Sequence, residues 1–127
     1  MSVSLKKHIS QMTSKEQGRL LNLAMAVPYW KAVPHLKKRL KQRGGKLNHV
    51  RNIIFDGQLI EYHNKDGKNR ILLRGVKEFR GKVMCAVFEI DTCKIITIYW
   101  NEVENTHEPI NMRYYKKDLE IIKLLCN

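Results

Sequence analysis

Five histidines and a cluster of arginines are the side chains whose types and spacing suit proton transfer beside a phosphate. Metal-free cleavage of RNA needs a base for the 2′-hydroxyl proton, an acid for the 5′-oxygen leaving group, and cations or hydrogen-bond donors around the phosphorane. Histidine titrates near neutrality and suits the first two roles, and the planar fork of arginine matches phosphate. His35, Arg39 and Arg43 stand four apart, so on a helix they make one stripe beside the apolar pair Leu36 and Leu40. Arg70 and Arg74 share one face of a strand, as do Thr97 and Tyr99. If both faces meet the helix of His35, then His35, Arg39, Arg70, Arg74, Thr97 and Tyr99 form a phosphate site with a base, cations and two hydroxyls.

Each of these residues also has a plainer reading. His35 fits the exposed first turn of a helix, and Thr97 and Tyr99 are ordinary strand residues. Arg70 and Arg74 flank the apolar Ile71-Leu72-Leu73, where a structural salt bridge to Glu61 or Glu89 is the rival to phosphate binding. His49, in the basic region, is a second acid or base candidate. His8 and His63 fall in segments read as loops, and His107 falls in a polar loop that would border the same site.

Charge points the same way as the histidines. Residues 1–51 hold twelve Lys/Arg against one acid, Glu16, whereas residues 52–127 hold twelve against eleven, so nearly all of the net +12 is regional. A localised positive field attracts polyanions, and phosphate contacts release counterions. Lys37, Lys38, Lys41, Arg43, Lys46, His49 and Arg51 are the expected nucleic-acid contacts, with Tyr29 and Trp30 as a stacking platform for unpaired bases. A solvated basic helix face is the bland alternative.

The elements that must position these residues are readable from pattern. Thr13-Ser14-Lys15-Glu16 fits a capping box opening a helix to about Ala26, with Leu20, Leu23, Ala24 and Val27 facing the core. Pro34 fits the first position of a second helix ended by Gly44-Gly45, and Leu47 to Phe55 reads as a third. Segments 58–62, 69–74, 83–90 and 95–100 are rich in β-branched and aromatic residues and read as strands in an antiparallel meander. The tail 115–125 fits a helix or an edge strand, with Leu119, Ile122 and Leu125 favouring helix. Helices followed by strands predict one α+β domain over residues 1–127: a basic helical extension, 1–33, and a core, 34–127, of helices packed on a curved antiparallel sheet of about four strands.

The run His35-Leu36-Lys37-Lys38-Arg39-Leu40-Lys41-Gln42-Arg43-Gly44, then a short helix and Asp56-Gly57-Gln58-Leu59-Ile60-Glu61, resembles a small bacterial and phage family. Its members open with a histidine, arginines four and eight later and a glycine, then a helix leading into a G-x-I-I-E strand. Arg70 to Gly75 and Lys94 to Tyr99 are similar to its two central strands. The family is grouped with the barnase/EndoU/colicin/RelE superfamily of metal-independent ribonucleases, many of them toxins. The likeness covers residues 35 to about 101; Gly45 stands where the family has an apolar residue.

The resemblance implies a RelE/barnase-like core and a metal-independent endoribonuclease of toxin type. Together with the charge it makes RNA the expected partner, with DNA and an acidic inhibitor or antitoxin protein as others. The alternative is a non-catalytic phage or prophage regulator that binds nucleic acid or an acidic protein. No cofactor or metal is expected, because Cys85, Cys93 and Cys126 have no CxxC or Cys/His cluster spacing. A cytoplasmic location without membrane association is expected, since nothing resembles a signal peptide or a bilayer span.

Overall fold

The computed structural model of the chain describes residues 4–42, 45–105 and 112–126. In chain order the elements are β1 (Ser4–His8), α1 (Ser14–Met25), β2 (Lys31–Ala32), α2 (Pro34–Gln42), α3 (Leu47–Asp56), β3 (Gln58–Lys65), β4 (Lys68–Phe79), β5 (Lys82–Glu89), β6 (Lys94–Glu102) and α4 (Ile121–Leu125). The sheet is open, in the order β1-β3-β4-β5-β6-β2, and only the β2–β6 pair is parallel. The fold is therefore α+β, with six strands where about four were expected. The two additional strands are edges that carry no alternating pattern: β1 holds Lys6 and Lys7 in succession, and β2 is two residues long.

The four α-helices among the described residues lie on one face of the sheet. Leu20 and Ala24 of α1, Leu36 and Leu40 of α2, Val50, Ile53 and Ile54 of α3, and Ile121 of α4 share one buried cluster with Tyr62, Ile71, Leu73, Met84, Ala86, Phe88, Ile95 and Ile98. On β4 and β5 those residues alternate with the ones pointing to the opposite face, and on β6 a bulge opposite Val87 and Phe88 puts both Ile95 and Ile98 on the core side. Residues 1–33 are thus not simply a helical extension. They supply both edge strands, β1 and β2, and α1 packs into the common core.

The capping box at the start of α1 forms: Thr13 Oγ1 accepts from the Glu16 amide (3.1 Å) and the Thr13 amide donates to Glu16 Oε1 (3.0 Å). Glu16 does more than cap. Its carboxylate receives the buried Lys7 ammonium (2.8 Å) and the Ile121 amide (3.2 Å), and Lys7 also donates to the Leu119 carbonyl (2.9 Å). Burial pushes the Glu16 carboxyl up, but Lys7 and the amides of Thr13 and Ile121 outweigh that and hold it below its ordinary value. One carboxylate therefore ties β1, α1 and the start of α4 together.

The β4–β5 hairpin extends beyond the core. Its tip turns through Arg80-Gly81, both at positive φ (50° and 79°), joining the Phe79–Lys82 pair. Two consecutive left-handed residues match the right-handed twist of the flanking strands. At the root of this extension, a Cβ on Gly75 would lie 2.9 Å from the Met84 carbonyl of β5, so glycine is what lets the two strands run this close, while Ile53 of α3 would meet that Cβ at an ordinary 3.4 Å.

Candidate nucleic-acid interface

The close approach of α3 to β4, with the hairpin rising beside it, leaves a cleft of about 980 Å³. Ile53, Gly75 and Met84 line its apolar part; Lys46, Asn48, His49, Asn52 and Asp56 line the helix side; Lys77, Phe79, Arg80 and Lys82 line the hairpin side, and Trp100 of β6 completes it. Three rings run in series across it. His49 and Phe79 have centroids 5.2 Å apart at 45°, and Phe79 meets Trp100 edge-on at 5.8 Å. Phe79 is 41% exposed, and the Lys77 ammonium sits 5.2 Å from its ring centroid. Aromatic faces set among Lys46, Lys77, Arg80 and Lys82 suit an unpaired base and its flanking phosphates.

His49 is the titratable base of this cleft. Burial disfavours its charged form and Lys77 repels it, which together outweigh the attraction of Asp56 and lower its pKa. The shift favours the neutral imidazole, the form that accepts a proton.

The site expected from spacing is not assembled as one constellation. His35 and Arg39 belong to α2, on the helix-covered side, and His35 is exposed. Arg70, Arg74, Thr97 and Tyr99 point to the opposite side, because their neighbours Ile71, Leu73, Ile95 and Ile98 fill the core. The sheet lies between the two groups. Arg39 donates to the Ile98 carbonyl of β6 (3.4 Å). Arg70 pairs with Glu89 at 2.6 Å, the structural alternative to phosphate binding. Arg74 is held by the carbonyls of Glu102 (3.3 Å), Val103 (2.9 Å) and Asn105, where it anchors the chain leaving β6. Tyr99 is half-exposed, and burial with the neighbouring Cys85 thiol raises its pKa, so its hydroxyl stays protonated.

The expected binding residues divide similarly. Lys37, Lys38 and Lys41 are exposed on α2 and Lys46 is exposed at the cleft. Trp30 is only 4% exposed and meets Phe88 edge-on at 5.1 Å, so it is a core residue and not a stacking platform. Tyr29 is exposed, but its face is covered by the Arg51 guanidinium at 4.2 Å. Arg51 in turn donates to the Trp30 carbonyl (3.1 Å) and Asn48 Oδ1 (3.4 Å), which makes it a brace between α3 and the chain before β2. Arg43 and His107 lie outside the described residues. His8 and His63, read as loop residues, stand on β1 and β3; their alternation was hidden because β1 is short and β3 runs on into polar Asn64 and Lys65.

Phe79, Lys77, Arg80 and Lys82 were not legible as a site. Residues 76–80 are all exposed, so they show no alternation, and their cations vanish in the near-neutral sum for residues 52–127. The Arg-Gly pair between two apolar-containing runs was the available signal.

Among the described residues no helix is long and apolar enough to cross a membrane. No curated protein and no solved structure matches the chain. Residues 34–100, which run from the start of α2 to Trp100 and so include both walls of the cleft, match the family model described as Domain of unknown function (DUF4258), and the chain belongs to that family.

Proposed function

We propose that this protein binds single-stranded RNA in the cleft between α3 and the β4–β5 hairpin. The observation that carries the reading is the half-exposed Phe79 ring between His49 and Trp100, with Lys46, Lys77, Arg80 and Lys82 lining the same cleft. Unpaired bases offer π faces to such rings while duplex stacks hide them. The exposed lysines of α2 extend the positive field that draws the strand in. Binding to labelled single-stranded RNA tests this: affinity falls steeply from low to physiological salt, and a flat salt response overturns it.

A second reading, metal-independent cleavage of toxin type, is favoured by one specific observation, the place of His49 in the cleft beside Phe79, where burial and Lys77 favour its neutral form. It would take the 2′-hydroxyl proton, with the neighbouring cations holding the phosphorane charge. The resemblance to the barnase/EndoU/colicin/RelE superfamily supports it. Incubation with total RNA in EDTA separates the two. Products that wild type makes and His49→Ala does not establish cleavage; binding without products leaves a non-catalytic regulator. An acidic inhibitor protein that competes with RNA would answer the same field.

A further inference from the structure

Cations account for attraction to phosphate in the cleft, but they do not account for Asp56. It is the last residue of α3, and the sole acid among the described residues lining the cleft. Its place is unfavourable for two reasons. The C-terminal end of a helix carries the negative pole of the backbone dipoles, and the last turn of α3 holds no basic residue to offset it. A carboxylate also repels the phosphates that Lys46, Lys77, Arg80 and Lys82 attract. Asp56 is exposed, lines the cleft and enters no salt bridge among the described residues, which leaves its carboxylate open to a ligand's donors. Asn52 stands one turn before it on the same wall.

We propose that Asp56 and Asn52 read the Watson–Crick edge of an unpaired guanine whose ring lies on Phe79. The inference rests on the RNA-binding reading of the cleft and adds a base preference to it. Guanine alone among the four bases presents two adjacent donors, N1–H and the N2 amino group, that match both oxygens of one carboxylate. Adenine and cytosine set one amino group beside an acceptor nitrogen, and uracil sets one N–H between two carbonyls; those acceptors repel a carboxylate. The Asn52 carboxamide supplies the N–H that guanine O6 requires. A carboxylate thus rejects three bases while its cost to phosphate binding is shared by all four, which is how a repulsive element produces selectivity.

The test is fluorescence anisotropy at one low salt concentration. Labelled hexauridylates carry guanosine, inosine, adenosine, cytidine or uridine at one central position, against wild type and Asp56→Asn. Circular dichroism checks that the variant folds, which an exposed helix-terminal change permits. Wild type binds the guanosine strand about tenfold tighter than the adenosine, cytidine and uridine strands, the discrimination expected of one bidentate pair, with inosine between. Asp56→Asn loses that preference, and binds the other strands as well as or better than wild type does. If wild type binds every strand alike, or the variant tightens on all five equally, Asp56 only tunes charge and the guanine proposal falls while RNA binding stands. If no strand binds with salt dependence, the RNA reading itself has failed and takes this inference with it.

Discussion

His49 on α3 and Phe79 on β4 face each other with ring centroids 5.2 Å apart, and this contact closes one side of the cleft between the helix and the hairpin. Neither ring is fully buried. Their own burial does not fix such a contact; buried Ile53, one turn on from His49, packs beside Gly75 of β4 and holds α3 next to the hairpin.

Truncating Phe79 therefore separates binding from stability. Phe79→Ala removes a ring that is 41% exposed, so its folding cost is small. Its RNA affinity falls by about 1–3 kcal/mol, the value of one stacked base. Titration of single-stranded RNA into both proteins, with thermal melting alongside, reads the two effects; a large loss of melting temperature with affinity unchanged would falsify the stacking role.

How much of this was legible follows from what leaves a pattern in a sequence. The capping box at Thr13, Pro34 at the start of α2 and the third helix from Leu47 to about Phe55 are local chemistry, and all appear at the expected places. The pairing of Arg70 with Glu89 stood as an alternative and is the one realised. What spacing does not carry is which face of the sheet the helices cover. A strand's period says that Arg70 and Arg74 lie together, but it leaves open whether they lie with His35. Trp30 failed for a related reason: flanking cations suggested an exposed ring, while its T-shaped contact with Phe88 places it in the core.

The division of the expected site by the sheet has its own consequence. Replacing His35 by Ala leaves RNA binding and any cleavage unchanged, whereas His49→Ala removes whatever cleavage wild type shows. Arg70→Ala lowers stability by about 3 kcal/mol, because it leaves the buried Glu89 carboxylate with the Thr92 hydroxyl but no counter-charge. Urea unfolding, RNA binding and incubation with total RNA in EDTA on the three variants test this together. Loss of activity in His35→Ala with folding intact would contradict the arrangement.

Stability should also fall with mild acid, through His63. Burial and the nearby Lys6, Arg70 and Lys65 lower its pKa to about 4, and its Nε2 lies 2.5 Å from Ser4 Oγ. Between about 6.5 and about 4 the unfolded chain binds a proton that the folded chain does not, so stability is complete above that window and is lost as pH falls through it. Each unit is worth ~1.4 kcal/mol, and discounting for partial exposure leaves about 1–2 kcal/mol. Melting temperatures of wild type and His63→Gln at pH 7 and pH 5 measure it: wild type drops more than the variant does.

The Lys7–Glu16 pair makes a pH-dependent prediction of a different shape. In wild type the Glu16 pKa is lowered, so its contribution to stability is present at neutral pH and lost as acid protonates the carboxylate. Lys7→Ala removes the ammonium and leaves a carboxylate that is only 5% exposed with the Thr13 and Ile121 amides as its remaining partners. Breaking a buried pair in this way costs about 3–5 kcal/mol at pH 7. Burial then favours the neutral acid in the variant, so protonation relieves part of the damage that it causes in wild type. The difference in unfolding free energy between the two proteins should therefore narrow from pH 7 to pH 4. A gap that stays constant across that range would mean that Lys7 acts through the packing of its methylene stem on α1 and not through its charge.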